Sequence, residues 1–503
     1  MKISVIDLGF NSAKLVNYNV KDDDSFEIYE QEGMKAKLGE GLDEKGKLSK
    51  KPILRAIEVL KLFRDNIQLQ PIKSVLPIAT SAVREARNKE EFLNEVYRET
   101  GFRFKVLSER EEALYSYVGA IKSLQLPNTL FFDLGGGSLE IVHAEKFRIK
   151  KVISLPLGAL RLTQQFADKN SAFTEKSYKN MQRHIWNLLP GKKEFDLDKN
   201  TVLVGVGGAL RALARYDQKV TKYPFDKIHN YKMDFKSVNA ISKKLSYMKH
   251  GEISQISVIG SSRAETIVAG SCVIDTLMDK FRFRNLHVSN HGLREGALSI
   301  FLENQKTYHS NNITAEQIRQ ALSITKERSI NQNAEGFLKG LITYKLISEH
   351  EHVLISYALK LMMEKSSYNN PQSWFYAIAD EDMSLNHPDQ LILGLSLVHT
   401  RHEKTADWLF SRYKSILTSQ DKTVVRKISS LLNLLRFLEK TKAKIEIKKS
   451  EPGKIELNIL PVRVLPKTLL QNILRNFENA FDVNVICSIR SEMGGTQNSI
   501  LEL

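Results

Sequence analysis

Two short segments carry residues able to hold a phosphate group. ISVIDLGFNSAKLV at residues 3–16 and LFFDLGGGSLEIV at residues 130–142 each run an apolar stretch into Asp-Leu-Gly and follow it with small polar residues. A phosphate carries dense negative charge, so backbone N–H groups must approach it closely, and glycine lets them do so without a Cβ in the way. Gly9, Asn11 and Ser12 form one such turn, and Gly135, Gly136, Gly137 and Ser138 the other. A third, Gly205 to Gly208 in TVLVGVGGALRALARY, is expected to border the same cleft and to bring Gly207 and Gly208 to it. Asp7, Asp133 and Glu140 would repel phosphate unless a hard cation lay between. Mg²⁺ held by one or two carboxylates and by substrate oxygens is the usual solution.

Hydrolysis also needs a group that activates water. In VLSEREEALYSYVGA the chain passes from strand to helix at Ser108, leaving Glu109, Glu111 and Glu112 in the first helical turn. Carboxylates there also suit the helix dipole, so local structure accounts for them as readily as chemistry does. In ATSAVREA a strand ends at Thr80 and Ser81, and Arg84 follows one turn into the next helix. Its guanidinium fork can grip phosphate oxygens.

The elements that must position these groups follow from periodicity. Residues 1–125 alternate strands with helices such as KPILRAIEVLKLFRDNI, and 126–303 restart the alternation with LFFDLGGG and KVISLPLG, so both read as α/β. Residues 304–440 carry helical periodicity in ITAEQIRQALSI, EHVLISYALKLMMEK and VVRKISSLLNLLRFLEK. Residues 441–503 return to strands and a helix around the turn Glu451-Pro452-Gly453, a small C-terminal α/β module.

At 503 residues, 42% hydrophobic and 26% charged, the chain has the composition of a globular multidomain protein. Two cysteines, Cys272 and Cys487, exclude a disulfide framework. Neither a leader-like start nor an apolar run of membrane length is present, so the expected location is cytoplasmic, with no membrane partner. The net charge of +16 favours a polyanionic partner, and residues 401–450 hold half of it, with 13 Lys and Arg against 5 Asp and Glu. Nucleic acid, acidic membrane and polyphosphate would satisfy that charge equally.

The motifs IDLGFNSAKLV, ATSAVREA, SEREEA, FDLGGGSLEIV, SLPLGALRL, GVGGALRALAR, SRAETIVAG and VSNHGLREGAL, in this order, resemble those of the exopolyphosphatase and guanosine pentaphosphate phosphohydrolase family of the actin-like ATPase superfamily. The resemblance implies two actin-like (ribonuclease H-like) α/β domains, then an all-helical HD-like domain that lacks the His-Asp pair. It implies that Glu112 orients and deprotonates the attacking water, that Arg84 and Arg263 bind phosphate, and that Asp7, Asp133 and Glu140 are linked to Mg²⁺. The expected activity is processive release of terminal phosphate from inorganic polyphosphate. Guanosine pentaphosphate hydrolysis, a sugar-kinase-like ATPase and a non-catalytic polyphosphate sensor are the alternatives. The resemblance further implies a homodimer and no nucleic-acid partner, with long substrates lying along Lys422, Arg426, Lys427 and Arg436. His350, His352, His399 and His402 are expected in surface or packing roles. The chain departs from the family at Phe10, where a small serine is usual, at Lys14, where Arg or His is usual, and at Glu265 and Asn290. Phe10 is expected to narrow the entrance.

Overall fold

The structure is a computed structural model that describes residues 1–22, 24–42, 46–168, 170–303, 321–322, 332–364, 370–460, 466–489 and 499–502. It divides into two compact units, Met1–Lys326 with Asp382–Ser384, and Glu327–Glu381 with Leu385–Leu503.

Two sheets in the first unit follow one plan. β1 (Lys2–Leu8), β2 (Ala13–Val20), β3 (Phe26–Met34), β4 (Ser74–Ala79) and β5 (Lys105–Val106) stand in the order β3-β2-β1-β4-β5. The second sheet consists of β6 (Thr129–Leu134), β7 (Leu139–Glu145), β8 (Arg148–Leu155), β9 (Val202–Val206), β10 (Tyr231–Asp234) and β11 (Asn285–Val288), in the order β10-β11-β9-β6-β7-β8. β1 is antiparallel to β2 and parallel to β4, and β6 is likewise antiparallel to β7 and parallel to β9. β6 therefore takes the place in its sheet that β1 takes in the first. The repeated Asp-Leu-Gly sequences are the visible trace of this duplication.

Side-chain alternation explains why β1 and β6 read as continuous apolar runs. Ile3 and Val5 on β1 share a buried core with Phe131 on β6, whereas Ile6 and Leu8 face a second core and Leu130, Phe132 and Leu134 a third. Both faces of each strand are covered, so neither face needs polar residues. The shared core also holds Ala113, Leu114 and Val118 of the helix Glu109–Leu124 and Ala297 and Leu298 of the helix Leu293–Glu303.

These two helices touch backbone to backbone. A Cβ on Gly119 would lie 2.0 Å from the Gly292 carbonyl oxygen, and one on Gly296 would lie 1.8 Å from that of Tyr115. Any side chain would push the helices apart, and Glu112 sits on one of them. The helix Glu109–Leu124 begins with a capping box in which Ser108 and Glu111 exchange hydrogen bonds. Glu111 also pairs with Lys105 at 3.1 Å. Local structure thus absorbs Glu111 and leaves Glu112 for other work.

The second unit holds the helices Gln332–Thr343, Glu349–Glu364, Pro371–Ala379, His387–His399, Glu403–Arg412 and Ser419–Thr441. They precede a sheet of β12 (Lys444–Glu451), β13 (Lys454–Leu460), β14 (Asn484–Ile489) and β15 (Ser499–Glu502), with the helix Lys467–Phe481 between β13 and β14. The helix expected over ITAEQIRQALSI lies outside the described residues apart from Ala321 and Leu322. His350 bonds Asp389 at 3.0 Å, His399 bonds Ser429 at 3.0 Å, and His352 lies 3.5 Å from Glu335. Lys422 pairs with Asp407 at 2.8 Å, and Lys427 donates to the Leu346 carbonyl at 3.2 Å. Both lysines therefore have partners within the unit. Among the described residues, no helix is long and apolar enough to cross a membrane.

Gly119→Ala is expected to cost about 1–3 kcal/mol through overpacking. Gly251→Ala should be close to neutral, because nothing lies within 4 Å of its added Cβ. Thermal denaturation of both variants beside the wild type checks this.

Candidate active site

The two phosphate-type turns close in the same way. In the β1–β2 hairpin the Gly9 N–H donates to the Ser12 carbonyl at 3.0 Å, and in the β6–β7 hairpin the Gly135 N–H donates to the Ser138 carbonyl at 3.1 Å. Behind the second turn, the helix Ala159–Phe166 gathers carbonyls. The Ala159 N–H bonds the Gly135 oxygen at 3.0 Å, and the Leu160 and Arg161 N–H groups share the Gly136 oxygen at 3.0 Å each. In a trans peptide the N–H points opposite to the C=O. Tying these carbonyls to the helix turns the Gly136 and Gly137 N–H groups away from it. Gly207 follows β9 at φ 126°, with its would-be Cβ 2.4 Å from the Leu134 carbonyl, so only glycine fits there.

One cleft is lined by Asp7, Gly9, Asn11, Ser12, Glu112, Asp133, Gly135, Gly136, Gly137, Ser138, Glu140, Gly207, Gly208 and Arg263. Every one of these lies in the sequence motifs expected to form the site. Arg84 is placed differently. Its Nη1 donates to Glu112 Oε2 at 2.7 Å and to the Leu107 carbonyl at 2.9 Å. It braces the carboxylate instead of standing in the cleft wall.

The cleft also contains Lys14, Thr80, Ser81, Arg211, Thr266 and Arg294. Three of them carried a signal in the sequence. Lys14 follows Asp7 by the interval that separates Glu140 from Asp133, and the registers pair Asp7 with Lys14 and Asp133 with Glu140. Arg211 lies one turn into the helix that Gly208 opens, and Arg294 lies in the first turn of the helix after His291-Gly292. Phe10 touches the cleft, but its ring is only 6% exposed and packs between Gly39 and Gly137. It fills space beneath the loop and does not stand in the mouth.

Electrostatics divide the site into two groups. Burial pushes the Glu112 carboxyl up to about 7, against the pull of Arg84. Burial also raises Asp133, where the Ser116 hydroxyl, donating at 2.5 Å, opposes the rise. Glu140 is raised well above the carboxylate range by burial and then by the charges of Glu112 and Asp133. On the other side, Arg294 and then burial pull Lys14 down to about 7, and burial with Arg294 and Arg263 lowers Arg211 to about 10. Crowded cations lose protons unless an anion joins them. The arrangement favours a polyanion on the cationic side and a hard cation among the acids.

Oxygen donors alone, mutually repelling and buried, fit Mg²⁺ better than a softer metal. Among the described residues no three His, Cys, Asp or Glu gather into a ready-made cage. The protein would therefore supply one or two ligands and leave the others to phosphate and water, as Mg²⁺ allows.

Duplicated sheets of this order, with glycine hairpins meeting at a charged cleft, define an actin-like α/β fold in the first unit. The Ppx/GppA phosphatase family matches residues 18–305, more than half of the chain, and the chain belongs to that family. It is similar to the bifunctional 3-dehydroquinate synthase/phosphatase of Fusobacterium nucleatum, at 29% identity over 311 residues, covering 60% of this chain and 46% of that one. Similarity to a putative exopolyphosphatase of Haemophilus influenzae is 25% over 304 residues, covering 59% of this chain and 90% of the relative. The crystal structure of an exopolyphosphatase from Cytophaga hutchinsonii superposes with a TM-score of 0.56 at 25% identity, covering 60% of this chain and 98% of that one. The chain thus spans less than half of the bifunctional relative and nearly all of the other two.

Replacing Arg84 by Gln removes the cation that favours ionised Glu112. Loss of an opposite charge raises a carboxyl pKa, so the acid limb of any Glu112-dependent rate should move to higher pH. A pH–rate profile of the variant beside the wild type checks the sign, with the larger deficit expected at the acid end.

Proposed function

We propose that this phosphatase is an exopolyphosphatase, removing the terminal phosphoryl group of inorganic polyphosphate by water attack. One observation carries the reading. Glu112 enters the cleft as a buried carboxyl with a pKa of about 7, and glycine turns and four cationic side chains line the same cleft. A general base is most effective when its pKa lies near the working pH. Ionised Glu112, braced by Arg84, takes a proton from the attacking water. The N–H groups of Gly136, Gly137 and Ser138 receive the terminal phosphoryl oxygens, and Lys14, Arg211, Arg263 and Arg294 offset charge on the leaving chain.

When bound, Mg²⁺ on Asp133 and Glu140, with Asp7 nearby, would neutralise phosphate oxygens and screen those acids from one another. Four cations lining one cleft suit an anhydride better than a monoester, because the leaving group is itself an anion. Guanosine pentaphosphate offers the same terminal anhydride and is the second substrate to test.

Phosphate release from long-chain polyphosphate and from guanosine pentaphosphate is the decisive measurement. Glu112→Gln keeps the shape and removes the base, so kcat should fall by about 10²- to 10⁴-fold. A wild type no faster than the Gln variant on either substrate would leave only a binding protein.

A further inference from the structure

The backbone of the helix Ala159–Phe166 anchors the Gly135 and Gly136 carbonyls, but a side chain anchors the next one. Arg161 Nε donates to the Gly137 carbonyl at 2.7 Å. The same guanidinium donates through Nη2 to both carboxylate oxygens of Glu85, at 2.9 and 2.8 Å. Glu85 belongs to the short helix Ser81–Glu85 that follows β4 of the first sheet, whereas Gly137 and Arg161 belong to the second-sheet half. The guanidinium carbon also lies 5.5 Å from the centre of the Phe10 ring. That ring has little freedom, since added Cβ atoms on Gly39 and Gly137 would approach it to 1.9 and 2.7 Å. Arg161 is thus held by a carboxylate and an aromatic ring from the first half while it holds a carbonyl of the second.

The peptide geometry gives this contact a consequence. The Gly137 carbonyl and the Ser138 N–H belong to one planar trans unit and point in opposite directions. Fixing that carbonyl on Arg161 fixes the Ser138 N–H on the side away from Arg161, and Ser138 lines the cleft. We infer that Arg161 is a positioning residue that aims the Ser138 N–H at the bound phosphoryl group, with Glu85 and Phe10 setting its fork across the two halves of the site. The inference rests on the proposed phosphatase reading, because it assigns the loop amides to phosphate. Arg161 itself does not touch the substrate.

The two ideas are tested by different readouts. Calorimetric binding of orthophosphate to the full chain reports on the loop without requiring turnover. Arg161→Ala should weaken it by about three- to tenfold, the worth of one ordinary hydrogen bond. Arg161→Lys keeps the charge but cannot bridge the carbonyl and both Glu85 oxygens, so it should lose nearly as much. Glu85→Gln should lose less, and Arg161→Ala/Glu85→Gln no more than Arg161→Ala alone, because the residues act through one contact. Where turnover is measurable, the deficit should fall on KM more than on kcat, with the thermal midpoint little changed.

Wild-type affinity in Arg161→Ala, full retention in Arg161→Lys, additive losses in the double variant, or no orthophosphate binding by the wild type would each overturn the inference. A wild type that binds orthophosphate but hydrolyses neither substrate would instead overturn the proposed activity.

Discussion

Glu112, Asp133 and Glu140 are buried close enough that charge on one raises the cost of ionising another. Lys14 and Arg211 meet the converse problem in the same cleft, where burial and the charges of Arg294 and Arg263 lower both. Two groups of like charges, each removed from water, are tolerable only where the surrounding frame is stiff and ligands can complete them. The rigid parts follow from that need. Two sheets share a core through β1 and β6, and glycine-to-glycine contact locks the helix carrying Glu112 against Leu293–Glu303.

Duplication supplied the frame and divergence supplied the chemistry. In both halves an Asp stands one residue before the end of the central strand, a four-residue turn closes with the same hydrogen bond, and the antiparallel strand returns a charged residue opposite the Asp. That residue is Lys14 in one half and Glu140 in the other. A single exchange of sign at equivalent positions gives one hairpin an Asp and a Lys and the other an Asp and a Glu. Both the proposed Mg²⁺ and the phosphate chain depend on that asymmetry.

Phe10 shows how an unusual residue can be absorbed. In the turn the ring looked like an obstruction, yet it is buried against Gly39 and Gly137 with Arg161 over its face. Its role is to join the loops of the two halves. The basic stretch at residues 401–450 likewise proved less free than its composition implied, since Lys422 has a carboxylate partner and Lys427 a carbonyl partner inside the second unit.

The chain itself determined whatever depends on neighbours a few residues apart. Asp-Leu-Gly after an apolar strand, the glycine turn at Gly205 to Gly208 and the start of Glu112's helix at Ser108 were legible because turns and caps are local interactions. The cleft residues on those turns were legible for the same reason. Tertiary structure alone decided the partners. Arg84 meets Glu112 across 28 residues and Arg161 meets Glu85 across 76. In each case an arginine's task follows from which carboxylate or carbonyl packing brings within about 3 Å, and no spacing in the sequence encodes that distance. The same holds for the shifted proton affinities of Lys14 and Glu112, which arise from burial and from charges on other strands and helices.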